Sequence, residues 1–353
     1  MAFCAFTALG AQEAEREGDW RLGFAGVRML NGMIPTGADF TLSYDGLDFG
    51  LGGDSVLFFK AGGGYQDKVI MRDALGQPSY NEDKYNSPNF QWEAALFQGL
   101  SLREDGKNLV ELFGYYRGRY DLYQNEDPIA LFEDAEGLFG TSFMAGLSYN
   151  SVVTNRHRAK SGVYAEFAGE WGPGFLNAKS DFWRLSAQAR SFLPLVDIPH
   201  EGGNLFNMYG ALFGGLDYAG GSSVPIYVNQ SFGGRDLRDS LGESVRGYER
   251  NSYDSSFKAV ANAELRLVGP ALGLEAIVPL LYAFADGGYY RGFTEAAGYA
   301  DEEGFLASAG GGLAFDLFGF AQLGAYAGVK LIEDALYARP DAFFWSISIF
   351  LHF

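Results

Sequence analysis

The clearest pattern along the chain is alternation with period two. In residues 110–122, one set of every-second positions reads Val110, Leu112, Gly114, Tyr116, Gly118, Tyr120, Leu122, and the other reads Glu111, Phe113, Tyr115, Arg117, Arg119, Asp121. Such alternation marks an extended strand with two unlike faces. A packed soluble core does not accept a glutamate, two arginines and an aspartate from one strand, whereas a water-filled interior does. The preceding run, 91–104, is joined to it through Asp105-Gly106-Lys107-Asn108, a tight-turn composition that predicts a hairpin. Residues 181–194 repeat the arrangement, with Arg184, Gln188 and Arg190 opposite Trp183, Leu185, Ala187, Ala189 and Leu193.

The chain ends on the same pattern. Trp345, Ile347, Ile349, Leu351 and Phe353 alternate with Phe344, Ser346, Ser348, Phe350 and His352. One face is wholly apolar with an aromatic at each end, and the run is near the roughly 9–11 residues that a tilted strand needs to cross a bilayer. It reads as the closing strand of an outer-membrane β-barrel. Further segments fall near 20–32, 37–49, 54–64, 140–152, 161–173, 205–218, 256–268, 277–290, 305–318 and 320–332, fourteen candidates in all. Residues 12–90 leave room for two more. The connections 65–90, 123–139, 219–255 and 291–304 are long and 105–109, 195–204 and 269–276 shorter, the asymmetry of outer loops and inner turns. The expected organisation is one all-β domain, a closed antiparallel transmembrane barrel over 20–353. Residues 1–19 form a leader-like or processing remnant: MAFCAFTALGA precedes the polar QEAEREGD, with small residues around Ala8-Leu9-Gly10 and no Lys or Arg before Arg16.

Composition changes the picture in one respect. Mean hydropathy is -0.06 and no stretch approaches 18 uninterrupted apolar residues, which excludes membrane-spanning helices. A barrel averages to that value because lipid-facing and lumen-facing residues cancel. The net charge of -18 argues against nucleic acid as a partner. A single cysteine, Cys4, rules out disulfides, and His157, His200 and His352 match no zinc spacing. Nucleophile-elbow and phosphate-loop motifs are missing, and Glu166 and Glu170, on one strand face, read as solvated wall. No catalytic residue, metal or cofactor is expected.

The longest connection, 222–256, contains Val245-Arg246-Gly247-Tyr248. In the strand after it Glu264 shares a face with Lys258, Asn262 and Arg266, so that face is the lumen. Asp286 lies on the next strand, where a carboxylate turned to lipid is costly. A loop arginine folded inward can therefore pair with two carboxylates on adjacent strands, and a guanidinium can donate to both at once.

At these residues the chain resembles the BamA-type superfamily of outer-membrane barrels, the bacterial surface antigen family, which includes BamA, TamA and the two-partner-secretion transporters. The resemblance rests on V-R-G-Y at 245–248, on Pro225-Ile226-Tyr227 through Phe232-Gly233-Gly234 upstream, on Glu264 in E-L-R, on Asp286-Gly287 and on the terminal Phe353. A further echo is Tyr149-Asn150 through Ser161-Gly162, and the likeness covers about residue 140 to the end. It implies a sixteen-stranded barrel of the bacterial outer membrane with its sixth outer loop in the lumen, Arg246 pairing with Asp286 and Glu264, a weak seam between first and last strands, and Phe353 as a sorting signal. These are structural and gating groups, not catalysts. The implied work is outer-membrane protein assembly, insertion or translocation, with outer-membrane lipid and periplasmic or outer-membrane assembly proteins as partners. Family members carry POTRA domains before the barrel. The short leader predicts a form without them, helped by a partner that supplies the periplasmic part. A plugged or selective passive pore, and a structural or surface-interaction barrel with acidic loops, are the competing readings.

Overall fold

A computed structural model describes residues 18–30, 34–72, 78–122, 137–155, 159–200, 203–235, 244–248, 255–272, 277–292, 303–317, 321–332 and 342–351. Its strands are β1 (Trp20–Leu30), β2 (Ile34–Leu47), β3 (Ser55–Arg72), β4 (Pro78–Leu102), β5 (Asn108–Leu122), β6 (Gly137–Asn150), β7 (Val153–Thr154), β8 (Lys160–Gly172), β9 (Asp181–His200), β10 (Gly203–Ser223), β11 (Phe257–Val268), β12 (Ile277–Arg291), β13 (Glu303–Leu317), β14 (Ala321–Lys330) and β15 (Phe343–Leu351). One four-residue helix, α1 (Ile226–Asn229), lies between β10 and β11. Among the described residues no helix is long and apolar enough to cross a membrane, which leaves crossing by strands open.

Every described pairing is antiparallel, and the strands follow one another in chain order from β1 to β15, with two-residue β7 set off the path against β8. This is the up-and-down order of a barrel sheet, with β1 and β15 at its two ends; among the described residues no pairing joins them. Fourteen strands on the path match the fourteen segments with apolar alternation, while the sixteen that the family resemblance implies exceed what the described residues carry. Among the described residues of 12–90 the extra room is taken up by longer strands. The expected long connection 65–90 is mostly strand, because β3 and β4 pair continuously from Ser55↔Gln98 to Ile70↔Asp83. Polar runs such as Gln66-Asp67-Lys68 and Asn81-Glu82-Asp83-Lys84 hide the period-two signal there, and backbone pairing extends the hairpin. Likewise β9 and β10 pair out to His200↔Gly203, so 195–200 and 203–204, expected as connection, are strand. The leader-like segment lies outside the described residues, apart from Gly18 and Asp19 just before β1.

The faces divide as the alternation demands. On β11, Lys258, Asn262, Glu264 and Arg266 are buried, while Ala261, Ala263, Leu265 and Leu267 are exposed. On β9, Arg184, Gln188 and Arg190 are buried and Trp183, Leu185 and Leu193 exposed. An inside that is charged and an outside that is apolar is the inverse of a soluble protein and suits lipid. Near the rim that carries the longest loop, outward rings touch from strand to strand: Trp183–Tyr218, Tyr218–Phe257, Phe257–Tyr289 and Tyr289–Phe305, with centroids 5.1, 6.4, 6.0 and 4.8 Å apart. Amphipathic rings in a continuous band are the girdle of a membrane interface. Ala263 sits outward near the middle of β11, and its replacement by arginine is expected to cost about 2–4 kcal/mol in lipid. Urea unfolding of Ala263→Arg in phospholipid vesicles checks this; an unchanged midpoint would mean that this face does not meet lipid.

Candidate functional site: a loop seated across the lumen

The connection between β10 and β11, in its described parts, turns inward rather than away from the barrel. Its first part is seated by three buried charges on the β9–β11 wall. Asp217 accepts from Arg184 Nε at 2.8 Å and from Arg184 Nη2 at 3.1 Å, and it lies 3.1 Å from Lys258 Nζ. The same carboxylate accepts from the backbone N–H of Gly233 at 2.9 Å. Lys258 Nζ also donates to the carbonyl oxygens of Asn229 at 2.8 Å and Ser255 at 3.3 Å, and Arg184 donates to the carbonyl of Ser231. A lysine and an arginine therefore satisfy carbonyls of a loop whose described residues make one short helix.

Beyond this seat the chain reaches the β5–β8 wall. Arg235 Nη1 donates to Glu111 Oε1 at 2.7 Å, and its Nε and backbone N–H donate to the two oxygens of Glu166 at 2.8 and 2.7 Å. Arg117 Nη2 donates to the carbonyl of Gly234 at 3.3 Å. Gly234 has φ +85°, and a Cβ on it would lie 2.5 Å from Glu166 Oε1, so the close approach needs glycine.

The loop is described again at 244–248, on the β11–β15 side, where the V-R-G-Y residues lie. Arg246 donates from Nε and Nη2 to the two oxygens of Asp286, each at 2.7 Å, from its backbone N–H to the same carboxylate at 3.0 Å, and from Nη1 to Glu264 Oε1 at 2.6 Å. Arg266 Nε holds the other oxygen of Glu264 at 2.6 Å. The Asp286 and Glu264 side chains are 0% and 2% exposed, so both depend on these cations. The Arg246 guanidinium lies 3.8 Å from the centroid of the Phe284 ring, a cation–π contact in a water-poor place. Burial works against the charge on Arg246, but the hydrogen bond to Asp286 and the field of Glu264 override it and raise its pKa above the ordinary guanidinium value. The group stays cationic across any physiological pH.

The neighbours of Arg246 seat the turn. Val245 is buried with Tyr290 and Leu306. Tyr248 donates from its hydroxyl to the carbonyl of Ala307 at 3.0 Å and also meets that of Ile332, tying the loop to β13 and the end of β14. Gly247 has φ +91°, and a Cβ there would stand 2.4 Å from the Phe344 ring on β15. Phe344 in turn meets Phe284 and Tyr326 at 6.3 Å each. The loop motif thus touches the last strand through an inward aromatic that the apolar outward set does not include. Gly247→Val should lower the melting temperature in detergent by an amount equivalent to roughly 1–3 kcal/mol. Adding Phe344→Ala should recover only part of this, because the space is then free but the backbone strain remains; full recovery would show that crowding alone is at work.

Of the outward terminal-strand residues, Trp345 and Ile347 are exposed, as a lipid face requires. Ile349 and Leu351 pair by backbone with Leu323 and Ala321; their side chains, and Phe353 altogether, lie outside the described residues. Sequence reasoning missed Arg235 and the Arg184–Asp217–Lys258 triad, and it placed Glu166 on a solvated wall although its side chain is 1% exposed and occupied by Arg235. One signal was available for Arg235: it follows Gly233-Gly234 in the same loop in which Arg246 precedes Gly247.

Among curated proteins, no significant sequence match is found. Solved structures give clear likenesses of fold. The crystal structure of BamA from Haemophilus ducreyi lacking POTRA domains 1-3 is 16% identical, with a TM-score of 0.52 over 89% of this chain and 62% of that one. CdiB from Escherichia coli is 15% identical, with a TM-score of 0.56 over 89% of this chain and 53% of that one. The chain thus spans less than two thirds of either protein. The model of the Omp85 superfamily domain matches residues 79–335. That stretch runs from the second residue of β4 to just past β14 and takes in the inward loop with both of its seated arginines. The match covers most of the wall and both arginine seats, and the chain belongs to the Omp85 superfamily.

Proposed function

We propose that this chain is an integral barrel of the bacterial outer membrane that assists the assembly, insertion or translocation of outer-membrane proteins, together with a partner that supplies periplasmic domains. The observation that carries this reading is the loop fixed from wall to wall. Arg235 is seated on β5 and β8, Arg246 on β11 and β12, and Gly247 lies against β15. An open passive pore needs an unobstructed lumen, whereas a barrel that handles polypeptides needs a closed resting state coupled to a strand at the end of its sheet. Arg246, Glu264 and Asp286 hold that state, Val245, Gly247 and Tyr248 seat it, and the outward face of Trp345 and Ile347 meets lipid, with Phe353 as the signal by which the barrel is itself assembled. The domain requires no catalysis and no cofactor for this work. Membership of the superfamily and the fold likeness to BamA and CdiB support it.

In-cell photocrosslinking from an unnatural residue at Ile347, followed by mass spectrometry of the solubilised barrel, tests the proposal. The expected adducts are a POTRA-bearing protein, an assembly lipoprotein or an outer-membrane client. Large steady ion currents from the wild-type barrel in planar bilayers, with no such adducts, would overturn it in favour of a pore.

A further inference from the structure

The surroundings of Arg235 are more elaborate than a loop anchor requires. Two carboxylates from different strands, Glu111 and Glu166, take Nη1 and Nε of one guanidinium at 2.7 and 2.8 Å. The Tyr164 hydroxyl, which also hydrogen-bonds to Glu166, accepts from Nη2 at 3.1 Å. Above and beside the plane stand aromatic rings: the guanidinium carbon is 4.5 Å from the Phe113 centroid, 5.6 Å from that of Phe97 and 5.9 Å from that of Tyr164. Phe113, Tyr164 and Glu166 are all buried. All of these groups except Arg235 belong to β4, β5 and β8, so the wall presents them whether or not the loop is in place. Acceptors arranged in a fork and faced by rings match a planar, delocalised cation and not a compact ammonium.

We propose that this wall carries a guanidinium-binding cage, filled in the resting barrel by the chain's own Arg235, for which an arginine side chain of another polypeptide competes. The cage is then a recognition site with an intramolecular occupant. Its identity as a guanidinium site rests on these contacts alone; that the competitor is a polypeptide in transit rests on the function proposed above. Displacing Arg235 frees the first part of the loop from β5 and β8 while Arg246 still holds the second part on β11 and β12, so the two seats open separately.

The probe is ethylguanidinium, with ethylammonium as a control of equal charge. Arg235→Ala empties the cage, and its purified barrel should melt at a lower temperature than wild type. Ethylguanidinium should raise that temperature saturably, as binding to the folded state requires; ethylammonium should not, and wild type, whose cage is full, should not respond. Combining Arg235→Ala with Glu111→Gln and Glu166→Gln should abolish the response. Arg235→Gln, which keeps reach without charge, replaces the alanine variant in the same titration if the latter does not assemble. Equal stabilisation by both cations, or by neither, overturns the proposal and leaves Arg235 a plain ionic anchor. Melting reads the cage alone. Absence of clients in the crosslinking experiment would break the functional reading and leave the cage standing, whereas a flat titration would do the reverse.

Discussion

Arg246→Ala is expected to cost about 3–5 kcal/mol of barrel stability, the usual penalty when one partner of a buried ion pair is removed and the other is left without compensation. The penalty is large here because one guanidinium serves two carboxylates. Asp286, with a fully buried side chain, loses both of its side-chain donors from Arg246 and keeps the backbone N–H of residue 246 only as long as the loop stays in place. Glu264 fares better, since Arg266 still holds one of its oxygens. Two further losses add to this: the contact with the Phe284 ring, and the seat of Gly247 against Phe344. The measurement is the temperature at which the detergent-solubilised barrel loses its compact electrophoretic form, together with bilayer conductance. Both should change, the first downward and the second upward as the second part of the loop is freed. Arg246→Lys should fall between, because an ammonium cannot donate along the same fork. Asp286→Ala should resemble Arg246→Ala, and the double variant should be less destabilised than the sum of the two. An Arg246→Ala barrel with wild-type melting and wild-type conductance would show that the loop is held by something else.

Asp217→Ala should be of the same size, about 3–5 kcal/mol, for the opposite electrostatic reason. Its carboxylate, 0% exposed, separates and neutralises two cations whose side chains are only 5% and 7% exposed, Arg184 and Lys258. Without it the pair face each other in a buried place, with uncharged loop oxygens, the carbonyls of Asn229, Ser231 and Ser255 and the Ser231 hydroxyl, among their acceptors. The backbone N–H of Gly233 loses its acceptor as well, so the part of the loop that leads to Arg235 is unseated. Limited proteolysis from the outer side should cut Asp217→Ala within the loop under conditions in which wild type is intact. Asp217→Asn, which keeps an acceptor for Gly233 and Arg184 and loses the charge, should be intermediate. Equal protease resistance in wild type and Asp217→Ala would mean that the triad stabilises the wall and not the loop.

The two variants differ in what they release. Arg246→Ala frees the part of the loop beside β15, and Asp217→Ala the part that crosses to β5 and β8. Conductance and proteolysis therefore need not move together, and their divergence would measure how far the two parts of the loop are independent.

Much of this site is legible in the sequence. Arg246 stands before a glycine in a loop too long for a turn, and period two alone puts Glu264 on a charged face with Lys258 and Arg266. Arg235 was not legible in the same way. Its partners Glu111 and Glu166 lie 124 and 69 residues away along the chain, on strands that are not neighbours, and one strand face read alone cannot show that a loop from elsewhere covers it. Phe344 escaped for a related reason: it belongs to the half-polar face of β15, and its importance comes from Gly247 pressing on its ring.

The same division holds for the whole protein. Alternation in the sequence determined that the chain is a barrel sheet with a charged interior, because side chains on a strand must point to opposite faces and only lipid outside with water inside rewards charge within. It determined the order and approximate bounds of the strands wherever one face is apolar. It did not determine the lengths of β3, β4, β9 and β10 beyond the apolar part, where backbone pairing continues without a side-chain pattern. Nor did it determine what fills the lumen. Which wall receives Arg235 and which receives Arg246 is decided by closeness in space between strands far apart in the chain. Buried charge is stable only where a partner stands within hydrogen-bonding reach, and that is a property of the folded barrel alone.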